Sequence, residues 1–333
     1  MHVFRRILLF FLISISFLIT VLSVASLFHD VTRWYFEMVD FPRLQYMLAA
    51  VVCIPALIVV KKHRDWTLWL LITGLAGTIV IQATYIFPYW LGEKKVPDAT
   101  ATRTSNSGSV GILIANILIK NRQADTFLRL VREVNPDVVL VMEVNTWWVN
   151  QLQALKNTYP HVMECPLDNG YGMALYSRLP LRDEQIKYFD DEKIPSFLAK
   201  VLLPNGRSFQ FYGVHPVAPY PSDKYPDGKG EKEVTLLQVG NMVNQDTIPS
   251  VVAGDFNDVS WSYTSELFSA RGKLNNVRLG RGLFNSFDAD SPVARWPLDH
   301  FFVTKEFQLQ QLERLPDIES DHFPVFTRLV LPE

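Results

Sequence analysis

The feature that most constrains this chain is a long apolar run without charge near its N-terminus. Residues 7–28 read ILLFFLISISFLITVLSVASLF and directly follow Arg5 and Arg6. A transmembrane helix needs about 20 apolar residues, so this run can cross a bilayer. A cleaved signal peptide is the alternative, because VAS at 24–26 resembles a small-residue cleavage site, but its apolar core spans only about 7–15 residues. The length of the run favours a retained membrane helix.

Two further uncharged runs extend this interpretation. LQYMLAAVVCIPALIVV occupies residues 44–60, and WTLWLLITGLAGTIVIQATYIFPYW occupies residues 66–90. The latter carries tryptophan and tyrosine near both ends, as expected at membrane interfaces. A buried helical hairpin of a soluble protein is the alternative, and it does not explain why all three runs lack charge. The sequence predicts that residues 1–92 form a multi-pass membrane anchor with three transmembrane helices, at about 7–28, 44–60 and 66–90.

Basic residues indicate the orientation of this anchor. Arg5 and Arg6 precede the first run, and KKHR at 61–64 fills the short loop before the third. The two groups lie on the same side if three helices cross, and the positive-inside rule assigns that side to the cytoplasm. Three basic residues after the third run weaken the asymmetry: Lys94, Lys95 and Arg103. We expect the rest of the chain on the extracytoplasmic side of the cell membrane.

A second domain follows the anchor. VPDATATRTSNSGS at 96–109 is small and polar, which is typical of a linker. We therefore predict a linker at 93–109 and a catalytic domain at 110–333.

The start of this domain predicts a strand, a helix and another strand. VGILIAN at 110–116 and PDVVLVME at 136–143 are short apolar runs, and residues 122–135 carry apolar side chains at helical spacing. A right-handed crossover makes the two strands parallel, with both carboxyl ends at one edge of the sheet. Asn116 and Glu143 would lie at those ends.

The rest of the domain predicts further strands with a few helices among them. Residues 196–215 form two alternating runs around PNGR, which predicts a hairpin with a type I′ turn at Asn205–Gly206. Helices are predicted at 147–160 and 231–245, and strands at 169–177, 250–258, 297–307 and 323–331. This mixture indicates α/β layers built on mixed sheets.

Polar side chains lie at the ends of these apolar runs. They are Asn116, Glu143, His215, Asp255, Asn257, Asp299, Asp321 and His322. Each one alone has an ordinary explanation as a turn residue, a solvated carboxylate or a core histidine. Burial of such groups is unfavourable unless each has a partner, so the set as a whole favours a shared site.

The residue types indicate the chemistry of that site. Carboxylates and a carboxamide without cysteine suit a hard cation such as Mg²⁺ or Mn²⁺. Such an ion polarises a phosphoryl oxygen, and a histidine oriented by a carboxylate can activate water or stabilise the charged transition state. The pattern therefore indicates hydrolysis of a phosphate ester. The two cysteines, Cys53 and Cys165, do not form a disulfide framework or a CxxC metal site. A net charge of −2 weakens the case for tight, nonspecific nucleic-acid binding without excluding it.

Six motifs follow one another over about residues 110–331: ILIAN, VVLVMEV, GVHP, VVAGDFND, PLDHFFV and ESDHFPV. Their order resembles the endonuclease/exonuclease/phosphatase superfamily, which includes pancreatic-deoxyribonuclease-like nucleases, apurinic endonucleases, neutral sphingomyelinases and inositol-polyphosphate 5-phosphatases. GDFN combined with a C-terminal SDH is specific, whereas any one motif alone is weak. YSRLPL at 176–181 and the preceding apolar runs look like the bacterial membrane-anchored branch. The resemblance implies a four-layer α/β sandwich of two mixed β-sheets flanked by helices, here preceded by three N-terminal transmembrane helices.

The resemblance also implies roles for individual residues. Glu143, with Asn116 beside it, matches the metal-binding position of the family, and Asp321 matches a residue near the metal. His322 matches the catalytic histidine that handles the attacking water or stabilises the transition state. Asp299 matches the carboxylate that orients this histidine.

Three more residues match positions near the scissile phosphate. His215 matches a second histidine that contacts phosphate in the nuclease and sphingomyelinase branches. Asp255 and Asn257 match a pair beside the phosphate, and the family leaves open whether the aspartate acts as a base, as an acid or through the metal. We expect His215 and Asn257 to bind the substrate.

These expectations combine into one leading hypothesis: a membrane-tethered phosphodiesterase that depends on Mg²⁺ or Mn²⁺. A tether raises the local concentration of lipid, which makes a phospholipid headgroup one candidate substrate, beside nucleic acid and small phosphodiesters. The alternatives are an extracytoplasmic nuclease and a catalytically silent membrane-tethered binding module. No protein partner is evident from the sequence.

The adjacent residues Asp321 and His322 raise a geometric question, because neighbours on a regular strand point to opposite faces. Both can face one cleft if strand pairing begins only at about Phe323. We expect them in the loop before the strand, with Asp321 toward the metal and His322 within reach of Asp299.

Overall fold

The computed structural model describes residues 2–28, 34–99, 108–189, 193–219 and 231–332. The chain divides into two compact units, Met1–Gly92 and Glu93–Glu333. The described residues of the first unit form helices: α1 (His2–Ala25), α2 (Trp34–Val39), α3 (Arg43–Val60), α4 (Trp66–Ile86) and α5 (Pro88–Leu91).

Three of these helices, α1, α3 and α4, are long and apolar enough to cross a membrane. Leu12, Ala50 and Leu75 are buried where the helices pack against one another. Many apolar side chains remain exposed on the outer surface, as Phe10 and Val59 do, and an apolar surface of this extent suits contact with lipid. The prediction of three N-terminal apolar helices as candidate membrane spans is confirmed, whereas the short α2 is not predicted by the sequence.

Buried and basic side chains define the two ends of this helical unit. At one end, the fully buried Arg43 donates to the carbonyl oxygen of Ser26 and to Gln82 Oε1, both at 2.9 Å, and pairs with Asp40 at 2.6 Å. At the other end, Arg5 donates to a carbonyl oxygen at the end of α3 at 2.7 Å. Successive long helices therefore run in opposite directions, and the end of α4 lies away from Arg5.

The second unit contains two mixed six-stranded sheets among its described residues. The strands are β1 (Ser109–Asn116), β2 (Val138–Met142), β3 (His161–Cys165), β4 (Met173–Ser177), β5 (Leu181–Tyr188), β6 (Pro195–Leu202), β7 (Ser208–Val214), β8 (Ser250–Asp255), β9 (Asn275–Asn276), β10 (Asp299–Val303), β11 (Gln308–Arg314) and β12 (Val325–Val330). One sheet has the order β11-β12-β1-β2-β4-β3, and the other has the order β5-β6-β7-β8-β10-β9. β1 pairs in parallel with β2, as predicted, and β7 pairs in parallel with β8.

Helices cover the outer faces of the two sheets. These helices are α6 (Ala124–Val134), α7 (Thr146–Leu152), α8 (Glu231–Gln245) and α9 (Tyr263–Gly272). The main apolar core, which includes Ile112 and Phe211, draws its residues from both sheets. α6 buries Phe127 against the first sheet, and α8 and α9 bury Leu236 and Phe268 against the second. Both faces of the central strands are buried, so these strands read as continuous apolar runs. The predicted four-layer α/β sandwich is confirmed.

The second unit begins earlier in the chain than the sequence predicts. Val96 is buried in the main apolar core, and the N–H of Leu309 donates to the carbonyl oxygen of Pro97 at 2.8 Å. The start of the predicted linker at 93–109 thus packs with the sheets. Residues 100–107 of that linker lie outside the described residues.

The hairpin of β6 and β7 has a different turn from the predicted type I′. Gly206 has a φ of 83° and donates to the carbonyl oxygen of Leu203 at 3.0 Å, but the φ of Asn205 is not positive. A type I′ turn needs a positive φ at both central residues. Pro204 fixes a φ near −65° at the first central position, so the type I′ geometry is excluded. The sequence also does not predict β3, β5, β9, β11 or α9.

Candidate active site

The candidate site lies at one edge of the sandwich, where strands of both sheets end. β1 ends at Asn116, Glu143 directly follows β2, β8 ends at Asp255, and β10 begins at Asp299. β1 and β2 are parallel, so their ends meet, and Asp255 pairs with Asp299 in the antiparallel register of β8 and β10. Asn116 Nδ2 donates to Asp255 Oδ2 at 3.1 Å and thereby joins the two sheets.

The loop before β12 adds Asp321 and His322 to this edge. β12 begins at Val325, so strand alternation does not apply to the two residues. Ser320 Oγ donates to the carbonyl oxygen of Asn116 at 2.8 Å and accepts the N–H of His322 at 3.2 Å. These bonds hold the loop against the end of β1.

His322 lies between two buried carboxylates. Its Nδ1 is 2.7 Å from Asp299 Oδ2, and its Nε2 is 3.5 Å from Asp255 Oδ2. Burial alone would lower the pKa of His322, but the charges of Asp299 and Asp255 outweigh burial and raise it to about 10. His322 is therefore an imidazolium that donates from Nδ1 to Asp299. Burial raises the pKa of Asp255, whereas the charge of His322 overcomes burial and lowers the pKa of Asp299.

Backbone contacts fix Asp299 behind the histidine. Ser286 Oγ accepts the N–H groups of Leu298 and Asp299, both at 3.2 Å. Arg278 Nη2 donates to the carbonyl oxygen of Asp299. Both the N–H and the carbonyl group of Asp299 are therefore hydrogen-bonded, which fixes the start of β10.

A second buried histidine, His300, follows Asp299 in the sequence, but its side chain contacts other residues than His322. Its Nδ1 is 2.7 Å from Arg278 Nη1 and 3.1 Å from Ser260 Oγ, and its Nε2 is 2.8 Å from the carbonyl oxygen of Asp258. Because arginine can only donate, Nδ1 accepts and the proton is on Nε2. Burial, together with the charge of Arg278, lowers the pKa of His300 to about 3. A neutral His300 therefore links β10 to the loop after β8.

His215 follows β7 and approaches Asp255 from the other side. Its Nε2 is 3.7 Å from Asp255 Oδ2, and its ring centre is 5.2 Å from that of Tyr171. Burial lowers the pKa of His215, although Asp255 partly opposes this effect. Within the described residues, its buried Nδ1 forms no hydrogen bond.

The GDFN segment shapes the backbone around Asp255. Gly254 has a φ of 146°, and a Cβ at this position would lie 1.9 Å from the carbonyl oxygen of Val214, so only glycine fits. Asn257 has a left-handed φ of 51°, donates its N–H to Asp255 Oδ1 at 2.8 Å, and donates from Nδ2 to the carbonyl oxygen of Pro216 at 2.9 Å. Asn257 therefore connects the loop after His215 to the end of β8.

Glu143 and Asp321 are the carboxylates best suited to hold a metal ion. Both are half-buried. Glu143 accepts hydrogen bonds from Asn116 Nδ2 and from the N–H of Ile119, both at 3.0 Å. Burial raises the pKa of Asp321, and repulsion from Glu143 adds to this rise, so a cation would stabilise the pair. The oxygen donors fit Mg²⁺ or Mn²⁺. The amide oxygen of Asn116 accepts the N–H of Leu118 at 3.1 Å, and its Nδ2 donates to Glu143, so Asn116 lies beside the predicted metal position.

A second group of possible ligands has a different explanation. Ligand atoms of Asp255, Asp299 and His322 all lie within 4.8 Å of one another. A histidine must be deprotonated at the nitrogen that binds a metal, but both nitrogens of His322 face carboxylates that favour the charged ring. Within this group, one hydrogen bond joins His322 to Asp299, and His322 Nε2 faces Asp255 at 3.5 Å.

All eight residues that the sequence singled out lie at this edge. The contacts above connect seven of them, and Asp321 directly precedes His322 in the same loop. The structure adds Ser286, Arg278, His300 and Ser320 as residues that position them. His300 and Ser320 have a sequence signal, because each is next to a predicted site residue. Arg278 and Ser286 lie in no motif, and only the tertiary fold reveals them.

The family model described as "Endonuclease/Exonuclease/phosphatase family" matches residues 113–322. No curated protein matches the sequence.

Three solved structures show the similarity of fold. An endonuclease/exonuclease/phosphatase from Bacteroides vulgatus is 18% identical with a TM-score of 0.55, and covers 67% of this chain and 99% of its own. The human Nocturnin catalytic domain with bound sulfate is 16% identical with a TM-score of 0.53, and the match covers 67% of this chain and 93% of that domain. D. rerio TDP2 complexed with a single-strand DNA product is 16% identical with a TM-score of 0.52, and the match covers 66% of this chain and 98% of the TDP2 chain.

Proposed function

Because this chain belongs to the Endonuclease/Exonuclease/phosphatase family, we propose that it is a membrane-tethered phosphodiesterase that depends on a divalent metal ion. Membership of the family supports a metal-dependent phosphoesterase or nuclease in general. One observation carries the proposal for this chain: the His322 imidazolium is held between Asp299 and Asp255, beside the carboxylates of Glu143 and Asp321.

Each buried group has a defined part in the proposed hydrolysis. A divalent cation held by Glu143 and Asp321 would polarise a phosphoryl oxygen and offset charge on the leaving oxygen. Asp299 fixes the ring of His322, whose Nε2–H donates to a phosphoryl oxygen in the transition state. Asp255, whose pKa burial raises, accepts the proton of the water whose oxygen bonds to phosphorus.

A diester is proposed over a monoester because a second histidine lies at the same carboxylate. His215 is 3.7 Å from Asp255 and offers a buried Nδ1 without a partner among the described residues. The imidazole of His215 would add a contact to phosphate beyond that of His322. Asn257 is proposed to bind substrate beside it, from the loop after β8.

The proposed location is the cell membrane, with the catalytic unit on the extracytoplasmic side. α1, α3 and α4 are the membrane spans. Arg5 lies at the end of the helical unit that also carries the basic loop at 61–64, and the end of α4 lies at the opposite end. The positive-inside rule therefore directs the chain after α4 away from the cytoplasm.

The test uses the full-length chain in detergent micelles with Mg²⁺, and offers DNA, phospholipids and inositol phosphates as separate substrates. Turnover of at least one ester is expected, with its loss in His322→Ala and its retention in His161→Ala, a half-exposed histidine on β3. A folded chain that hydrolyses none of these esters, or an unchanged rate in His322→Ala, would contradict the proposal. Hydrolysis of DNA alone would favour the extracytoplasmic nuclease.

A further inference from the structure

Two arginines lie against one aromatic ring beside His322. The guanidinium carbon of Arg295 is 4.8 Å from the ring centre of Phe323, and that of Arg314 is 4.4 Å away. Phe323 directly follows His322, and its N–H donates to the carbonyl oxygen of Ser286 at 2.8 Å. The two positive charges are therefore attached to the loop that carries the reaction centre.

Backbone carbonyl groups fix both arginines in place. Arg295 donates from Nε to the carbonyl oxygen of Asp288 at 3.1 Å and from Nη2 to that of Ala289 at 2.8 Å. Arg314, which is exposed, donates from Nη1 to the carbonyl oxygen of Asn285 at 3.1 Å. A guanidinium carries five N–H groups, so each arginine keeps further donors for a ligand.

The two arginines lack an ion-pair partner among the described residues. Within the described part of the chain, no carboxylate lies within ion-pair distance of either guanidinium. The carboxylates of Asp288 and Glu313 accept other hydrogen bonds, both at 2.9 Å. Burial lowers the pKa of Arg314, and repulsion from Arg295 adds to this effect. A bound anion would relieve the repulsion.

We propose that Arg295 and Arg314 form a subsite for a second phosphate group of the substrate, next to the phosphate that is hydrolysed. The inference rests on the proposed function, because the neighbouring reaction centre makes phosphate the expected anion. Arginine suits this role, since its planar fork can bind two phosphate oxygens at once. The subsite would favour diesters that carry an additional phosphate, whether in a nucleotide chain or on an inositol headgroup.

A purely structural role for the arginine pair makes a different prediction. If stacking on Phe323 only braces the loop, replacing the arginines changes the stability of the chain without changing its preference among substrates. Lysine keeps the charge and loses the planar fork, whereas glutamine removes the charge. A phosphate subsite therefore predicts partial retention of the preference with lysine and its loss with glutamine.

The first experiment measures substrate preference with the full-length chain in detergent micelles and Mg²⁺. Thymidylyl-thymidine is compared with its 5′-phosphorylated form, and glycerophosphoinositol with its 4-phosphate. The ratio of kcat/KM between the two members of a pair should fall about tenfold or more in Arg295→Gln/Arg314→Gln, as expected for lost charge-assisted hydrogen bonds. Arg129→Gln, an exposed arginine on α6, is the matched control and should keep the ratio. The pair that shows the effect identifies the source of the second phosphate.

The second experiment measures binding of inorganic pyrophosphate in EDTA by calorimetry, and it does not require turnover. The double glutamine variant should bind about tenfold more weakly than the unmodified chain, and Arg129→Gln should bind equally well. An unchanged Kd together with an unchanged preference overturns the subsite, as does equal weakening in the control. Weakened pyrophosphate binding without hydrolysis of any diester supports the subsite and refutes the proposed function.

Discussion

Replacing His300 should remove the part of the acid sensitivity of the second unit that comes from the titration of this residue. The neutral ring accepts from Arg278 at 2.7 Å and donates to the carbonyl oxygen of Asp258 at 2.8 Å. Glutamine has one acceptor and one donor group that can replace both bonds without titrating. The variant His300→Gln therefore separates the titration of the residue from its hydrogen bonds.

The magnitude follows from the lowered pKa of His300, about 3 in the folded chain against 6.5 for an unperturbed histidine. Below pH 6.5 the unfolded chain takes up a proton at this position, and the folded chain does not until the pH approaches 3. Stability is therefore lost as the pH falls through this window, by about 1.4 kcal/mol for each pH unit. Between pH 7 and pH 5, His300 alone should lower the free energy of unfolding by about 2 kcal/mol.

The assay is urea unfolding of the fragment from Glu93 to Glu333, followed by tryptophan fluorescence at pH 7 and pH 5. With a slope of about 2 kcal/mol per molar urea, the His300 contribution corresponds to a shift in the midpoint of about 1 M. This part of the shift should disappear in His300→Gln and persist in His161→Gln. Other groups titrate both in the unmodified fragment and in His300→Gln. The difference between the two pH-dependent changes in unfolding free energy therefore isolates the contribution of His300. An equal loss of stability in the unmodified chain and in His300→Gln would refute the reasoning.

Three further predictions concern the proposed reaction centre, the proposed metal site and the helical unit. Asp299→Asn should lower kcat about 10²–10⁴-fold, because the amide no longer holds His322 charged and oriented. Asp125→Asn, at an exposed position, is the control and should leave kcat unchanged. A loss of kcat below tenfold in Asp299→Asn, measured by steady-state kinetics, would contradict this role. Glu143→Gln should raise the Mn²⁺ concentration for half-saturation, measured by electron paramagnetic resonance, about 10–100-fold, and an unchanged binding curve would place the ion elsewhere. Arg43→Ala should destabilise the chain in detergent by about 3–5 kcal/mol, because it removes the ion pair of the buried Asp40. A double variant that also removes Asp40 should recover part of this loss, and thermal unfolding that shows neither effect would contradict the network.

Part of the site was predictable from the residues alone. The parallel pairing of β1 and β2 follows from a strand, a helix and a second strand, and it places Asn116 and Glu143 at one edge. The late start of β12 was also expected, because Asp321 and His322 cannot share a face on a regular strand.

The partnership of His322 with Asp299 was expected from the resemblance to a family and not from spacing. The two residues are 23 positions apart and belong to different sheets or their loops, so no periodic pattern connects them. The sequence does not predict the role of Arg278 either, because its contacts with Asp299 and His300 also arise only in the folded chain. Val96 was assigned to a linker because its neighbours are polar, although this one side chain reaches the core.

The most direct test of the central claim is the hydrolysis rate of bis(4-nitrophenyl) phosphate by the full-length chain, measured in EDTA and again after Mg²⁺ or Mn²⁺ is added back. The proposed site predicts that EDTA abolishes the rate, that either ion restores it, and that no ion restores it in His322→Ala. A rate that is unchanged in EDTA, or equal in His322→Ala, would contradict a metal-dependent reaction at this centre.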